Sequence, residues 1–318
     1  MGMMESNSTR GLVESGLLVA LAVVLFLASH FLPVAGVAVA LVCPAPLVVL
    51  GLRHSLGRAL LGAGVAMVIV TTMVGVLGGL FFGLGFGATG IALGYFARRY
   101  DTAVEILLYA LLVSLGAKLL LMVLATKMTG INPFSVDPEE MRRMTDATLA
   151  MFGQASPETL EIIRSQMEGM LQMLPLLFPA LLVMASGVDA FLSYAVSGAV
   201  LRRLGRETLP PLPSFETWRF PKSLFWALLV SAVLLFLGSS SGTGAISFRV
   251  GVNLRILVSM LFFLQGSAVV LAFLKSKKIG AWRWGVFVLL LMVPILSQLA
   301  LVLGIIDMWF DIRSRIGR

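Results

Sequence analysis

Apolar residues fall in nine long stretches, roughly 12–31, 33–52, 59–77, 80–97, 103–126, 175–200, 223–239, 252–274 and 284–309, with short breaks that are basic on alternate sides. Most approach the ~20 residues that carry a helix across the hydrocarbon core of a bilayer. In lipid the backbone must satisfy its own hydrogen bonds, and a helix does so within one segment. The pattern predicts an all-α, polytopic transmembrane helix bundle with eight or nine spanning helices. It divides the chain into a five-segment block at 1–126, a hydrophilic stretch at 127–174 and a four-segment block at 175–318.

The hydrophilic stretch carries two helix starts. Asp137-Pro138-Glu139-Glu140 and Ser156-Pro157-Glu158 each place a capping residue before a first-turn proline and acidic residues. One helix, about 138–152, aligns Met141, Met144, Met151 and Phe152, with Thr148 interrupting the stripe. The other, about 157–173, aligns Leu160, Ile163, Met167, Met170 and Leu174. Both are amphipathic, which predicts an extramembrane helical hairpin lying on or capping the bundle. A thioether metal site finds no supporting His or Cys nearby.

Composition agrees with the membrane reading. The chain is 58% hydrophobic and 13% charged, with mean hydropathy +0.98, whereas a soluble domain carries about a quarter charged residues. The net charge of +8 then reads as topology and lipid electrostatics, not as nucleic-acid binding. The lone Cys43 offers no intrachain disulfide and reads as a small core residue. With the N-terminus inside, cytoplasmic breaks hold fourteen Lys and Arg against eight outside, which the positive-inside rule favours. Nine crossings, however, place Arg313, Arg315 and Arg318 outside. A last segment bent at Pro294 that fails to cross would remove that conflict. The nine-crossing arrangement is the one preferred here.

Small residues and prolines mark packing. Gly75, Gly79, Gly83 and Gly87 recur every four residues, followed by Gly90 and Gly94. This spacing lets helix backbones approach closely, and a glycine-lined wall for a flat ligand is the sharper alternative. Cys43-Pro44-Ala45-Pro46 interrupts the second segment, either as a plain kink or as a broken helix of the kind that lines solute sites. The basic, proline-rich loop Leu201–Lys222 includes Phe215, Trp218 and Phe220, which suits interfacial anchoring or the docking of a partner.

Ionisable and polar groups inside apolar segments are functional candidates by default. Lys118 in the fifth segment and Asp189 in the sixth lie at comparable depth on consecutive antiparallel segments. Two readings are open: a structural ion pair, or a polar centre for ligand binding or proton coupling. Asn253 and Gln265 in the eighth segment read as interhelical hydrogen-bonders, with Arg255 snorkelling to the interface. Ser297 and Gln298 beside Pro294 offer the same service. Asp307 and Asp311 stand four apart, as a carboxylate pair would. His30 and His54 belong to no catalytic or metal motif. The ligand-binding or polar-core candidates are thus Lys118, Asp189, Asn253, Gln265 and Asp307, with no catalytic residue, metal site or cofactor expected.

Three motifs carry a family resemblance: Phe215-Glu216-Thr217-Trp218-Arg219-Phe220-Pro221, Asn253-Leu254 through Leu264-Gln265-Gly266, and Gly304-Ile305-Ile306-Asp307-Met308-Trp309-Phe310-Asp311-Ile312-Arg313. In these the chain resembles the YybS-like family of largely uncharacterised bacterial multi-pass membrane proteins. It is distantly similar to the substrate-binding S components of energy-coupling-factor transporters, from which it departs in segment number and in its long outer loop. The expected location is the bacterial cytoplasmic (inner) membrane, and with no catalytic motif in the sequence no enzymatic activity is expected, an intramembrane enzyme ranking third among the readings. The expected function is a transport component binding a small solute in the bundle. Its partners would be the lipid bilayer, the solute and a membrane protein or ATPase-coupled module. The alternative is a non-transporting membrane scaffold or envelope assembly factor.

Overall fold

A computed structural model describes residues 2–32, 35–130, 138–151, 156–205, 209–239 and 245–316. Among the described residues the ordered elements are all helical. Each predicted apolar stretch coincides with a helix or a helix pair. Among the described residues six helices are long and apolar enough to cross a bilayer, or seven if one bent pair counts as a span, with two shorter apolar helices at Ala38–Arg53 and Ser223–Ser239. Large apolar side chains such as Leu61 (73% exposed) and Phe236 (78%) face outward, as lipid-facing positions do and a soluble surface rarely does. Contacts divide the chain into two units, Met1–Pro133 with Leu182–Leu212, and Phe134–Leu181 with Pro213–Arg318.

The first unit holds α1 (Gly2–Phe31), α2 (Ala35–Val42), α3 (Pro44–Arg53), α4 (Leu56–Val74), α5 (Val76–Leu80), α6 (Ala88–Ala97) and α7 (Ala103–Thr129). A π-helical turn, Phe81–Gly87, joins α5 to α6. The break between the third and fourth apolar stretches occurs at Gly75, whose φ of +92° favours glycine. Gly79 instead packs within α5 against Met67 and Thr71. Gly90 and Gly94 let α6 lie directly on α3, and a Cβ on Gly94 would meet the Val48 carbonyl and the Leu52 amide. These glycines therefore serve packing. The proline interruption is mild: α2 gives way to α3 at Cys43, whose N–H still bonds Val39 and Ala40. Cys43, Leu47, Leu50, Ala66 and Phe82 are fully buried in this core, and Phe26 packs edge-on to Phe82 at 5.2 Å.

The second unit holds α8 (Pro138–Met151), the N-terminal part of α9 (Pro157–Leu204), a 3-10 turn at Phe215–Thr217, α10 (Ser223–Ser239), α11 (Ile246–Ser276), α12 (Trp282–Met292), α13 (Pro294–Phe310) and α14 (Ile312–Ile316). Ser156 caps α9 as expected, its Oγ accepting the Thr159 N–H at 3.4 Å. The Asp137 cap and the side chains of Met141, Met144, Met151 and Phe152 lie outside the described residues. Arg164 pairs with Asp146 at 3.1 Å, tying α9 to α8. The second amphipathic helix does not end near 173: α9 runs for 48 residues through Pro175 and Pro179, so the hairpin's second arm and the sixth apolar segment are one helix. Val293 is extended (φ −102°, ψ 110°), as a residue before proline prefers, and α12 and α13 meet at 104°. Gly266 and Gly304 bring α11 and α13 into backbone contact, each lying where a Cβ would strike a carbonyl of the other helix.

Candidate functional site

Two polar centres lie inside apolar helices, one in each unit. In the first, Asp189 on α9 is faced by α6 and α7. Its Oδ2 accepts from Lys118 Nζ at 2.8 Å, Ser114 Oγ at 3.0 Å and Thr89 Oγ1 at 3.4 Å. Lys118 also donates to Ser114 Oγ at 2.6 Å, closing a three-membered network. Thr89 and Ser114 are buried, while the side chains of Lys118 and Asp189 keep 22% and 30% of their surface. All four residues sit within candidate spans, where an unpaired charge is costly. Three donors converge on one carboxylate oxygen. The other, Oδ1, accepts no hydrogen bond among the described residues. The centre is thus internally neutral yet keeps one acceptor open. Lys118 and Asp189 meet as their sequence positions predict. Ser114 stands one turn before Lys118 on the same face, a signal the charged residues had obscured, and Thr89 had none.

In the second unit, the three family-like motifs converge. The Gln265 amide on α11 links two of them: its Oε1 accepts the Phe220 N–H at 3.3 Å and its Nε2 donates to Asp307 Oδ2 at 3.3 Å. Arg313 donates to the same Oδ2 through Nε at 3.2 Å and Nη2 at 3.0 Å, and to the Glu216 carbonyl through Nη1 at 2.8 Å. The Asp307 and Arg313 side chains are only 2% and 7% exposed. This return of Arg313 depends on Asp311, a left-handed residue (φ 43°) that ends α13, a conformation Asp tolerates better than most residues. Asp307 and Asp311 do not form the expected carboxylate pair. Asp311 binds Arg219 at 2.6 Å instead, because the left-handed turn takes it off the helical face it would share with Asp307. The Glu216 carboxylate, itself buried, is approached by Arg283 at 3.3 Å and Lys275 at 3.9 Å. Glu216 stood in a family-like motif without being a candidate, and Arg283 counted only toward topology.

Glu216 therefore contacts both ends of the bent pair: Arg283 in the first turn of α12 and Arg313 just past α13. Both ends of the bent pair lie at the same end of the second unit, as they would if the last segment were bent at Pro294 without crossing; by length and apolar character the pair is either a broken span or a re-entrant loop.

The remaining candidates are structural. Asn253 Oδ1 accepts the Ala180 N–H at 2.7 Å, and its Nδ2 donates to Leu176 O at 2.8 Å and Arg249 O at 2.7 Å. Arg255 is exposed. Ser297 bonds back to the Pro294 carbonyl at 2.8 Å, and Gln298 is exposed, so neither joins helices. His30 stacks on Phe26, with ring centroids 6.5 Å apart, and His54 is buried. No group of three His, Cys, Asp or Glu fit to hold a metal occurs among the described residues.

Comparison with known proteins bears on the whole chain. The uncharacterized protein YybS of Bacillus subtilis (strain 168) is 26% identical over 312 residues, covering 98% of this chain and 99% of its own. No solved structure matches at a significant level. The model of a family described as predicted membrane protein (DUF2232) matches residues 20–308. With its long apolar helices and buried polar centres, the chain belongs to this DUF2232 family of integral membrane proteins.

Proposed function

We propose that this protein is a non-enzymatic membrane transport component that binds a small polar solute at the Asp189–Lys118 centre, in a bacterial cytoplasmic membrane with its N-terminus inside. One observation carries the reading: an intramembrane carboxylate holds three protein donors on Oδ2 and leaves Oδ1 open. The Asp189 side chain keeps 30% of its surface, so the open oxygen is within reach of a solute while the charge beside it is already paired within the span. The open oxygen beside a neutralised charge suits a solute with an N–H or O–H donor, or a proton in transit. The sequence carries no nucleotide-binding motif, so ATP-driven transport would need a partner ATPase and membrane adaptor.

The scaffold reading rests on the loop Leu201–Lys222 as a docking segment and on the absence of an evident pathway. Part of that loop is occupied: Phe220 and Glu216 bond α11 and the chain after α13, and Phe215 packs on Phe287 at 5.4 Å.

A thermal-shift screen of polar metabolites against the purified full chain tests the proposal. A compound that raises the melting temperature of the wild type but not of the Asp189→Asn variant supports it. Equal stabilisation of both, or a blank screen with a reproducible set of co-purifying proteins, would sink it in favour of scaffolding.

A further inference from the structure

The second unit contains a cavity of about 420 Å³ that the transport reading does not use, bounded by Glu216, Thr217, Arg219, Lys275, Ser276 and Arg313. We propose that it binds a phosphate anion, supplied as the head group of an acidic phospholipid.

Charge is the first argument. Around the cavity the described residues place four cations, Arg219, Lys275, Arg283 and Arg313, against three carboxylates, Glu216, Asp307 and Asp311. Arg313 is spent on Asp307 and Arg219 on Asp311. Glu216 lines the cavity and would repel an anion, but it is 8% exposed and faces both Arg283 and Lys275. Two cations on one carboxylate leave a surplus positive charge, and it resides on Lys275. Its Nζ lies 3.9 Å from Glu216, beyond hydrogen-bond reach, with 56% of its side chain exposed. Its three N–H donors are therefore uncommitted. Arg219 uses Nη2 for Asp311 and keeps further N–H groups for a second oxyanion.

Shape and setting are the second argument. The volume lies within the range of small-ligand sites and accommodates a phosphodiester with a short polar head. Thr217 and Ser276 donate their hydroxyl protons to the Ser214 and Phe273 carbonyls. Their oxygens are left as acceptors, which suits a hydroxyl-bearing head group. The same end of the unit carries half-exposed Trp284 and Trp309, with Lys222 over the Trp309 ring at 5.6 Å. Tryptophan and basic residues together mark the head-group level of a bilayer. That places the cavity where lipid phosphates are, so a lipid source is favoured over a soluble one.

The test uses the full chain in nanodiscs. Native mass spectrometry would count retained lipid in phosphatidylglycerol-containing and purely phosphatidylcholine discs. Inorganic phosphate and glycerol phosphate would be added in separate arms. The variants are Lys275→Gln, Arg219→Gln and both together, with Lys277→Gln as a control that removes a nearby exposed cation off the cavity. The proposal expects about one phosphatidylglycerol retained by wild type and control, and at least a several-fold loss in the double variant. Displacement of that lipid by millimolar glycerol phosphate would further support it. Equal retention by wild type and double variant, or equal loss in the control, would overturn the site. Saturation by inorganic phosphate with no lipid retained would overturn the lipid source. Should the double variant fail to fold, Lys275→Gln alone reads the same comparison, because its ammonium makes no hydrogen bond.

Discussion

Asn253 on α11 takes the backbone N–H of Ala180 on α9 at 2.7 Å and returns a hydrogen bond to the Leu176 carbonyl at 2.8 Å. These are the two groups that an unbroken helix pairs with each other. Pro179, which has no N–H, empties the rung just before them. Asn253 occupies the next rung, which is how a proline-bearing helix runs on without ending. Replacing Asn253 with Ala should destabilise the protein by about 1 kcal/mol, the scale of interhelical hydrogen bonds in membranes. Reversible unfolding in mixed micelles measures it. A cost indistinguishable from zero would mean that α9 closes this rung unaided.

Asp307 and Arg313 form a pair almost fully withdrawn from solvent. Breaking a buried pair from one side leaves an uncompensated charge and costs about 3–5 kcal/mol. Asp307→Asn should therefore be strongly destabilising in the same unfolding measurement. The Asp307→Asn, Arg313→Met double variant should recover much of the loss. If the double variant is as unstable as the sum of the singles, the two residues are not coupled.

The contrast between these two contacts shows what sequence could and could not reveal. The helices were legible because an apolar stretch of sufficient length has one solution in lipid. Lys118 and Asp189 were legible because each interrupts such a stretch at similar depth, and the ion pair followed. The Gln265–Asp307–Arg313 cluster was legible only in part. Gln265 and Asp307 interrupt apolar helices, but Arg313 sits in a basic tail and reaches Asp307 only through the left-handed turn at Asp311. No hydropathy pattern encodes that reversal. The expected end of the second amphipathic helix failed for a related reason: α9 runs on through Pro175 and Pro179, and no hydropathy pattern shows that a distant asparagine takes the rung next to the one Pro179 leaves empty.

Gly304 and Gly64 are both helical glycines with opposite surroundings. A Cβ at Gly304 would enter the space of the Phe262 carbonyl, while nothing lies within 4 Å of one at Gly64. Gly304→Ala should force α11 and α13 apart and cost at least about 1–3 kcal/mol. Gly64→Ala should be neutral or stabilising by up to ~1 kcal/mol. Thermal melts of the two variants side by side decide it, and equal behaviour would contradict the close backbone contact.

The shared contacts of Glu216 with Arg283 and Arg313 bring Arg313 to the end of the second unit that holds Glu216 and Arg283. A topology reporter fused after Arg318 should then match a reporter placed at Lys278, and both should read cytoplasmic. Opposite readings from the two fusions would mean that the bent pair crosses, as the nine-crossing arrangement requires.

The most direct test of the transport reading asks whether Asp189 holds a solute in the cell. Wild-type protein, Asp189→Asn, and the doubly neutral Lys118→Gln, Asp189→Asn variant would be purified from the native membrane in parallel and extracted for small molecules by mass spectrometry. The double variant controls for the unpaired lysine that the single change leaves behind. A metabolite enriched near one equivalent with wild type, and lost at least tenfold from both variants that fold, is the predicted result. The same metabolite profile from all three proteins would contradict it and leave the Asp189–Lys118 centre as a structural ion pair.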